Sequence, residues 1–355
     1  MICQTLFPTI SHPETPLPKS NMSQDHPLRS IIPPTLLPEP ILHPDHQEIS
    51  REVITYLVDT WDWPSARTKK AFISWNLPEV VLFMFPTGVK SRVKLACEFL
   101  LLGFLMDGSV FPHYTQKRKK KKEKGKKLTM FIDHFDNQTL LQNSSTVSRL
   151  QLLLSSPSTF TPSNKIESMH SSIFTQFLSL DSSLPILQTY ISMLQCHCLS
   201  DRGTNISSFR TYLSFREIDV GMPICSELMY WTEPDLLKLT TTQREKLRPL
   251  ERIANYHVSI LNDVFSFDRE WKAAREQGEG AVMVNGVMVL SEELGVGVGV
   301  GRGVCVGIVR GWETEFLGLV EEMGLEGELM KRAVKGIERR MAGAEGYSWR
   351  TRRYL

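Results

Sequence analysis

Residues 253–271 read IANYHVSILNDVFSFDREW, and the reading of the whole chain turns on this stretch. Asn262, Ser266 and Glu270 stand four residues apart within it. On a helix of 3.6 residues per turn, their side chains stack along one face. An amide oxygen, a hydroxyl and a carboxylate are hard donors, suited to a Mg²⁺ ion that keeps some waters and takes its other ligands from a substrate phosphate. A polar stripe on a surface helix would show the same spacing. The surrounding Ile253, Tyr256, Ile260, Leu261, Val264, Phe265 and Phe267 argue against that, because so apolar a helix packs inside a molecule and turns its polar trio toward an interior.

With 355 residues, 41% of them hydrophobic, the chain can bury a full core as one large domain or two small ones. No apolar run reaches the roughly 18 residues of a membrane helix. The N-terminus lacks the basic start and apolar stretch of a secretory signal. Cys3, Cys97, Cys196, Cys198, Cys225 and Cys305 form neither a paired framework nor a zinc spacing, so reduced thiols and a cytoplasmic location are expected. Residues 1–44, rich in Pro, Ser and Thr, are expected to be a disordered tail, since they carry too little apolar surface to offset the entropy of ordering. From Gln47 the pattern turns helical. Ile54, Leu57 and Trp61, then Val80 to Phe85, then Val93 to Met106 place apolar residues at spacings of three and four. With almost nothing that reads as a hairpin, residues 45–355 are expected to form one all-α bundle.

The nonapeptide NDVFSFDRE at 262–270 resembles the second metal motif of class I terpene synthases. The resemblance implies an all-α bundle around a central active-site cavity. It also implies that Asn262, Ser266 and Glu270 help to hold three Mg²⁺ ions against a prenyl diphosphate, and that Arg269 touches the diphosphate. The proline-rich PPTLLPEPILHPDHQ at 33–47 is similar to the lead-in before the first helix of many cyclases, which gives this part of the tail a way to pack on the domain. A first motif close to D-D-x-x-D is also expected, at the end of an apolar helix. The helix LACEFLLLGFLMD ends at Asp107, but residues 108–132 follow before Asp133. Removing them joins FLMD to DHFDN and restores D-D-H-F-D. Residues 108–132 therefore read as a translated intron: they span a whole number of codons, and Gly108 and the Ile132–Asp133 pair are compatible with splice boundaries. Asp107, Asp133 and Asp136 are then the first-motif carboxylates.

The same insertion contains the run Lys117–Lys127, which read alone suggests nucleic acid or nuclear import. It has no interleaved aromatic readers. Without it the chain carries 32 Lys and Arg against 38 Asp and Glu, so the net +2 of the full sequence is the insertion's doing and no nucleic-acid partner is expected.

In FRTYLSFREIDVGMPIC at 209–225, Arg216 and Asp219 lie one turn apart, and Gly221-Met222-Pro223 must break the helix because proline lacks the amide hydrogen. An i,i+3 surface ion pair would have the same letters and contribute only a few tenths of a kcal/mol. The family resemblance implies more: Arg216 as diphosphate sensor, Asp219 as linker, and Val220 or Gly221 as the carbonyl aimed at the reacting carbons. Alternating glycines in SEELGVGVGVGRGVCVG at 291–307 miss the G-x-G-x-x-G offset of a dinucleotide loop and are expected to form a poor helix. The terminal Arg353-Tyr354 matches the R-Y pair with which many microbial cyclases reach the diphosphate and close the site.

Together these features resemble a fungal-type sesquiterpene cyclase, a carbon–oxygen lyase acting on phosphates. The partners implied are a prenyl diphosphate, with farnesyl diphosphate first, and either no second chain or one identical copy. Phe83, Phe104, Tyr230 and Trp231 are candidates for the apolar wall, although core packing alone accounts for each. Two alternatives stand beside this reading: a chain-elongating prenyltransferase of the same fold, which usually has a second Asp-rich motif where Asn262 stands, and an inactive remnant or binding protein in which the split first motif has lost its metal.

Overall fold

Local signals set several of the helix starts. Ser65 and Ser208 each accept from the amide three residues on and donate their own amide to the hydroxyl of Thr68 or Thr211 in return, closing capping boxes. Pro78 occupies the first turn of its helix, where no amide hydrogen is needed. The computed structural model describes residues 27–107, 144–180, 185–199, 206–277 and 283–354. Its helices are α1 (His46–Thr60), α2 (Ala66–Trp75), α3 (Pro78–Met84), α4 (Lys90–Asp107), α5 (Ser144–Ser155), α6 (Lys165–Leu180) and α7 (Pro185–Leu199). They continue with α8 (Phe209–Asp219), α9 (Met222–Thr232), α10 (Thr241–Gln277), α11 (Gly286–Leu294), α12 (Val298–Glu322) and α13 (Glu328–Arg350). Every regular element among the described residues is helical, as the all-α expectation requires.

The 37-residue α10 is the axis of the bundle, packed against α8, α11, α12 and α13. On the other side, α4 packs on α1, α3, α6 and α9. Side chains such as Leu57, Val81, Leu102, Ile173 and Leu228 are fully buried between these layers. Each contributes about 1.5–3 kcal/mol relative to exposure. Phe83, Tyr230 and Trp231 belong to this core rather than to a cavity wall. Tyr230 donates its hydroxyl to Glu251, and the Trp231 and Phe177 rings pack at a tilt with centroids 4.5 Å apart.

Residues 27–44 depart from the disordered tail expected over 1–44; residues 1–26 lie outside the described residues. Leu28, Ile32 and Leu37 are buried. The Leu36 amide donates to Glu313 Oε2 at 2.7 Å, and Arg310 donates to the Pro33 carbonyl at 2.9 Å. Glu313 and Glu345, with His257, are three buried groups close enough to share a cation, but the Arg310 guanidinium already pairs with both carboxylates. Composition weighs the prolines and cannot see that three well-spaced aliphatic side chains have a surface waiting for them.

Gly295 closes α11 at φ +65°, and from Val298 the glycine run folds as the start of α12. Only part of it is explained by packing: a Cβ at Gly301 would lie 1.9 Å from Ser291 Oγ on α11, whereas Gly303 and Gly307 face open space. Cys97, Cys196, Cys225 and Cys305 are free thiols. No single described helix is long and apolar enough to cross a membrane, and the one pair that passes jointly, α11 with α12, is bent by 110°.

Candidate active site

The α8–α9 break is a backbone necessity. Gly221 sits at φ +77°, a conformation that residues with a Cβ rarely adopt, and Pro223 in the first turn of α9 withholds the amide that would continue α8. Val220 and Gly221 at the break line a cavity of about 470 Å³. Its deep wall is apolar, with Val81, Phe99, Phe104, Tyr190 and Met193 among the residues that face it. Of the four wall candidates read from sequence, Phe104 is the one found there.

One end of the cavity is charged. Arg216 and Asp219 from α8, Asn262, Arg269 and Glu270 from α10, and Arg353 and Tyr354 from the C-terminal turn all line it. The Arg216–Asp219 contact is no surface pair, since their side chains are only 13% and 12% exposed. Arg216 also donates through Nε to Asp263 Oδ1 at 3.0 Å and through Nη2 to Asn262 Oδ1 at 3.1 Å. The Asn262 amide in turn donates to the Tyr354 hydroxyl at 2.7 Å, which ties the chain terminus to the metal-motif helix. Tyr354 packs 6.1 Å from Phe265, and Phe265 meets Trp349 edge-on at 4.8 Å, so the terminal pair is docked rather than frayed.

Asp263 was not singled out from sequence, yet it anchors this end. It is fully buried, and its oxygens accept from Arg216, from the Tyr212 hydroxyl at 2.5 Å and from the Gly286 amide at 2.9 Å. Burial pushes its carboxyl up to about 6, against the pull of Arg216. With three donors converging on it, we assign the ionised form, paired with Arg216. Gly286 must be glycine for this approach, because a Cβ there would lie 2.9 Å from Asp263 Oδ2. Asn285 was missed as well. Its Oδ1 caps α11 at the Val287 amide, and its Nδ2 reaches both the Asp263 carbonyl at 3.1 Å and Glu270 Oε2 at 2.9 Å. An Asn before a glycine looks like a turn signal; nothing local shows that it reaches back 15 residues.

Arg269 and Arg353 bring two further positive charges to the same end of the cavity. Burial and the nearby Arg353 charge lower the Arg269 pKa to about 10. Two guanidiniums held this close repel one another, and a multiply charged anion between them relieves both.

The donor set on α10 fits a divalent metal. Asn262 and Glu270 line the cavity; Ser266, between them in sequence, is buried and not among the lining residues, and its Oγ has no hydrogen-bond partner among the described residues. A buried hydroxyl without a partner costs about 1–3 kcal/mol, which ligation of a cation would offset. From the first expected motif, Asp107 is the last residue of α4, one turn beyond Gly103 and Phe104 on the cavity wall. Asp133 and Asp136 lie outside the described residues, as does the insertion 108–132.

Comparison with known proteins agrees with this geometry. The family described as Terpene synthase family 2, C-terminal metal binding, matches residues 128–310, more than half of the chain. The chain is 27% identical over 329 residues to the (+)-aristolochene synthase of Penicillium expansum, covering 90% of each. It is 28% identical over 334 residues to the aristolochene synthase of Penicillium roqueforti, covering 92% of this chain and 89% of the other. The crystal structure of aristolochene synthase from Penicillium roqueforti superimposes with a TM-score of 0.71 at 24% identity, over 90% of this chain and all of that one. That likeness establishes the fold, and the matched family is one described by its metal binding. By its fold, its metal-motif helix and these relatives, the chain belongs to the terpene synthase family, as a class I terpene cyclase of the fungal sesquiterpene type.

Proposed function

We propose that the protein is a Mg²⁺-dependent cyclase that ionises farnesyl diphosphate and closes the resulting cation into a sesquiterpene, releasing diphosphate. The observation that carries this is the single polar end of an otherwise apolar cavity, where Asn262, Glu270, Arg216, Arg269, Arg353 and Tyr354 meet. Asn262, Ser266 and Glu270 would hold metal from α10, and Asp107, Asp133 and Asp136 would supply the carboxylates of the first motif. When bound, three Mg²⁺ ions supply Lewis-acid neutralisation of the leaving group.

Arg216, Arg269 and Arg353 present fixed positive charge where negative charge develops as the C–O bond breaks. Arg216 moves only its Asn262 contact, because Asp263 and Asp219 keep hold of the guanidinium. Asp219 links that arginine to the α8–α9 break, so that the Val220 or Gly221 carbonyl faces the carbons that take up positive charge. Tyr354 closes the polar end over the diphosphate, and the apolar wall keeps water from the cation. Residues 108–132 are an insertion absent from the working enzyme, whose loss brings Asp107 beside Asp133. The protein works in the cytoplasm, alone or as a pair of identical chains.

The test is incubation of the purified chain, with and without residues 108–132, with farnesyl, geranyl or geranylgeranyl diphosphate and Mg²⁺, followed by gas chromatography of the extract. A cyclic C15 hydrocarbon formed only with metal is expected. Folded protein of both forms that releases no diphosphate from any of the three would refute the reading, and chain elongation on adding isopentenyl diphosphate would replace it with a prenyltransferase.

A further inference from the structure

The deep wall contains one polar pair that the proposed chemistry does not use. Tyr190 on α7 lines the cavity, but its hydroxyl lies 3.0 Å from His170 Nε2 on α6 and 3.8 Å from Met106 Sδ on α4. His170 and Met106 are fully buried and are not among the cavity-lining residues. The oxygen of Tyr190 therefore points between helices, and its ring faces inward, edge-on to the Phe99 ring at 4.7 Å.

The other imidazole nitrogen fixes the direction of this bond. His170 Nδ1 lies 2.8 Å from the Ile166 carbonyl, which can only accept, so Nδ1 carries the hydrogen and Nε2 is the acceptor. Burial lowers the His170 pKa to about 4, and the ring is neutral at pH 7. The Tyr190 hydroxyl is thus the donor, and turning it toward the cavity would leave a buried imidazole nitrogen unsatisfied.

We propose that His170 is a positioning residue for Tyr190, holding the phenol oxygen out of the cavity so that the wall offers a reacting cation an aromatic face and no nucleophile. The inference rests on the carbocation chemistry proposed above. An aromatic face stabilises positive charge. A phenol oxygen turned inward can instead accept a proton from a carbon beside the cationic centre, whose C–H electrons become the double bond of a prematurely released alkene, or capture the cation as an aryl ether with loss of its own O–H proton.

The experiment compares hydrocarbon products from farnesyl diphosphate and Mg²⁺ for the unsubstituted chain, His170→Phe, His170→Gln, Tyr190→Phe and the His170→Phe/Tyr190→Phe double variant, with thermal melts of each. His170→Phe keeps the ring against Phe174 but removes the acceptor. The expected result is a change of about fivefold or more in the ratio of main to side products, the equivalent of one net hydrogen bond at tenfold per 1.36 kcal/mol. Gln at 170 restores the ratio, and in the Tyr190→Phe background His170→Phe produces no further change. An unchanged ratio in folded, active His170→Phe overturns the inference, as does an equal shift in both backgrounds. If Phe at 170 does not fold, the Gln variant decides by itself: a ratio far from that of the unsubstituted chain overturns the inference. No turnover by the unsubstituted chain either with or without residues 108–132 sinks the proposed function first, and this inference with it.

Discussion

Replacing Asn285 by Ala removes a side chain that does three jobs at once: it caps α11 at Val287, binds the Asp263 carbonyl and holds Glu270 Oε2. The lost cap costs about 1 kcal/mol. The lost donation to a carboxylate costs about 1.5–3 kcal/mol, toward the lower end because the Glu270 side chain is 28% exposed. Together the loss is about 2.5–3 kcal/mol, which at about 2 °C per kcal/mol lowers Tm by about 5–6 °C. A carboxylate that loses its orienting partner also loses metal, by about 10–100-fold. Thermal melts followed by circular dichroism give the first quantity, and calorimetric titration of Mg²⁺ into protein with inorganic diphosphate gives the second. Asn285→Ser separates the roles, because serine still caps the helix but is too short to reach Glu270. It should recover about 1 kcal/mol of stability without recovering metal affinity. A Tm within about 1 °C of the unsubstituted protein, together with unchanged Mg²⁺ affinity in the alanine variant, would refute this reasoning.

The two faces of the glycine run should respond in opposite directions. Gly301→Ala drives a Cβ into Ser291 and costs about 1–3 kcal/mol, whereas Gly303→Ala, in open space, gains about 0.5–1 kcal/mol, both read as midpoint shifts in urea. Acid stability should carry the signature of His170. Its folded pKa of about 4 lies below an unfolded value of about 6.5, so its contribution is fully present above pH 6.5 and is lost as pH falls through about 4. The loss amounts to about 3 kcal/mol, and His170→Gln should show a correspondingly shallower decline in stability between those pH values. Deleting residues 108–132 should raise turnover, and sequencing of the transcript should find messages without those codons; messages that all retain them would sink the intron reading.

The helix that carries the expected metal motif was legible because its information is local: three donors at helical spacing inside an apolar segment mark a helix that packs inside the molecule. The α8–α9 break was legible for the same reason, since Gly221 and Pro223 act on their own backbone. The partners of that machinery were not. Asp263 sits inside the quoted motif, but its importance comes from Tyr212, Arg216 and Gly286, which reach it from two other helices. Packing of the proline-rich part of 27–44 was anticipated only through the family resemblance, because burial of Leu28, Ile32 and Leu37 depends on the surface offered by the helices, which composition does not encode. The wall candidates divided likewise: Phe104 faces the cavity, while Phe83, Tyr230 and Trp231 face neighbouring helices, a rotation about the helix axis that hydrophobicity alone does not fix.

The central claim is that α10 grips metal through its polar face at the charged end of the cavity, and a crystal structure with Mg²⁺ and inorganic diphosphate tests it most directly. The account predicts a metal about 2.1 Å from Asn262 Oδ1, Ser266 Oγ and a Glu270 oxygen, with diphosphate between Arg216, Arg269 and Arg353. Metal bound elsewhere, with Ser266 Oγ still unliganded and Arg216 still on Asn262, would contradict it.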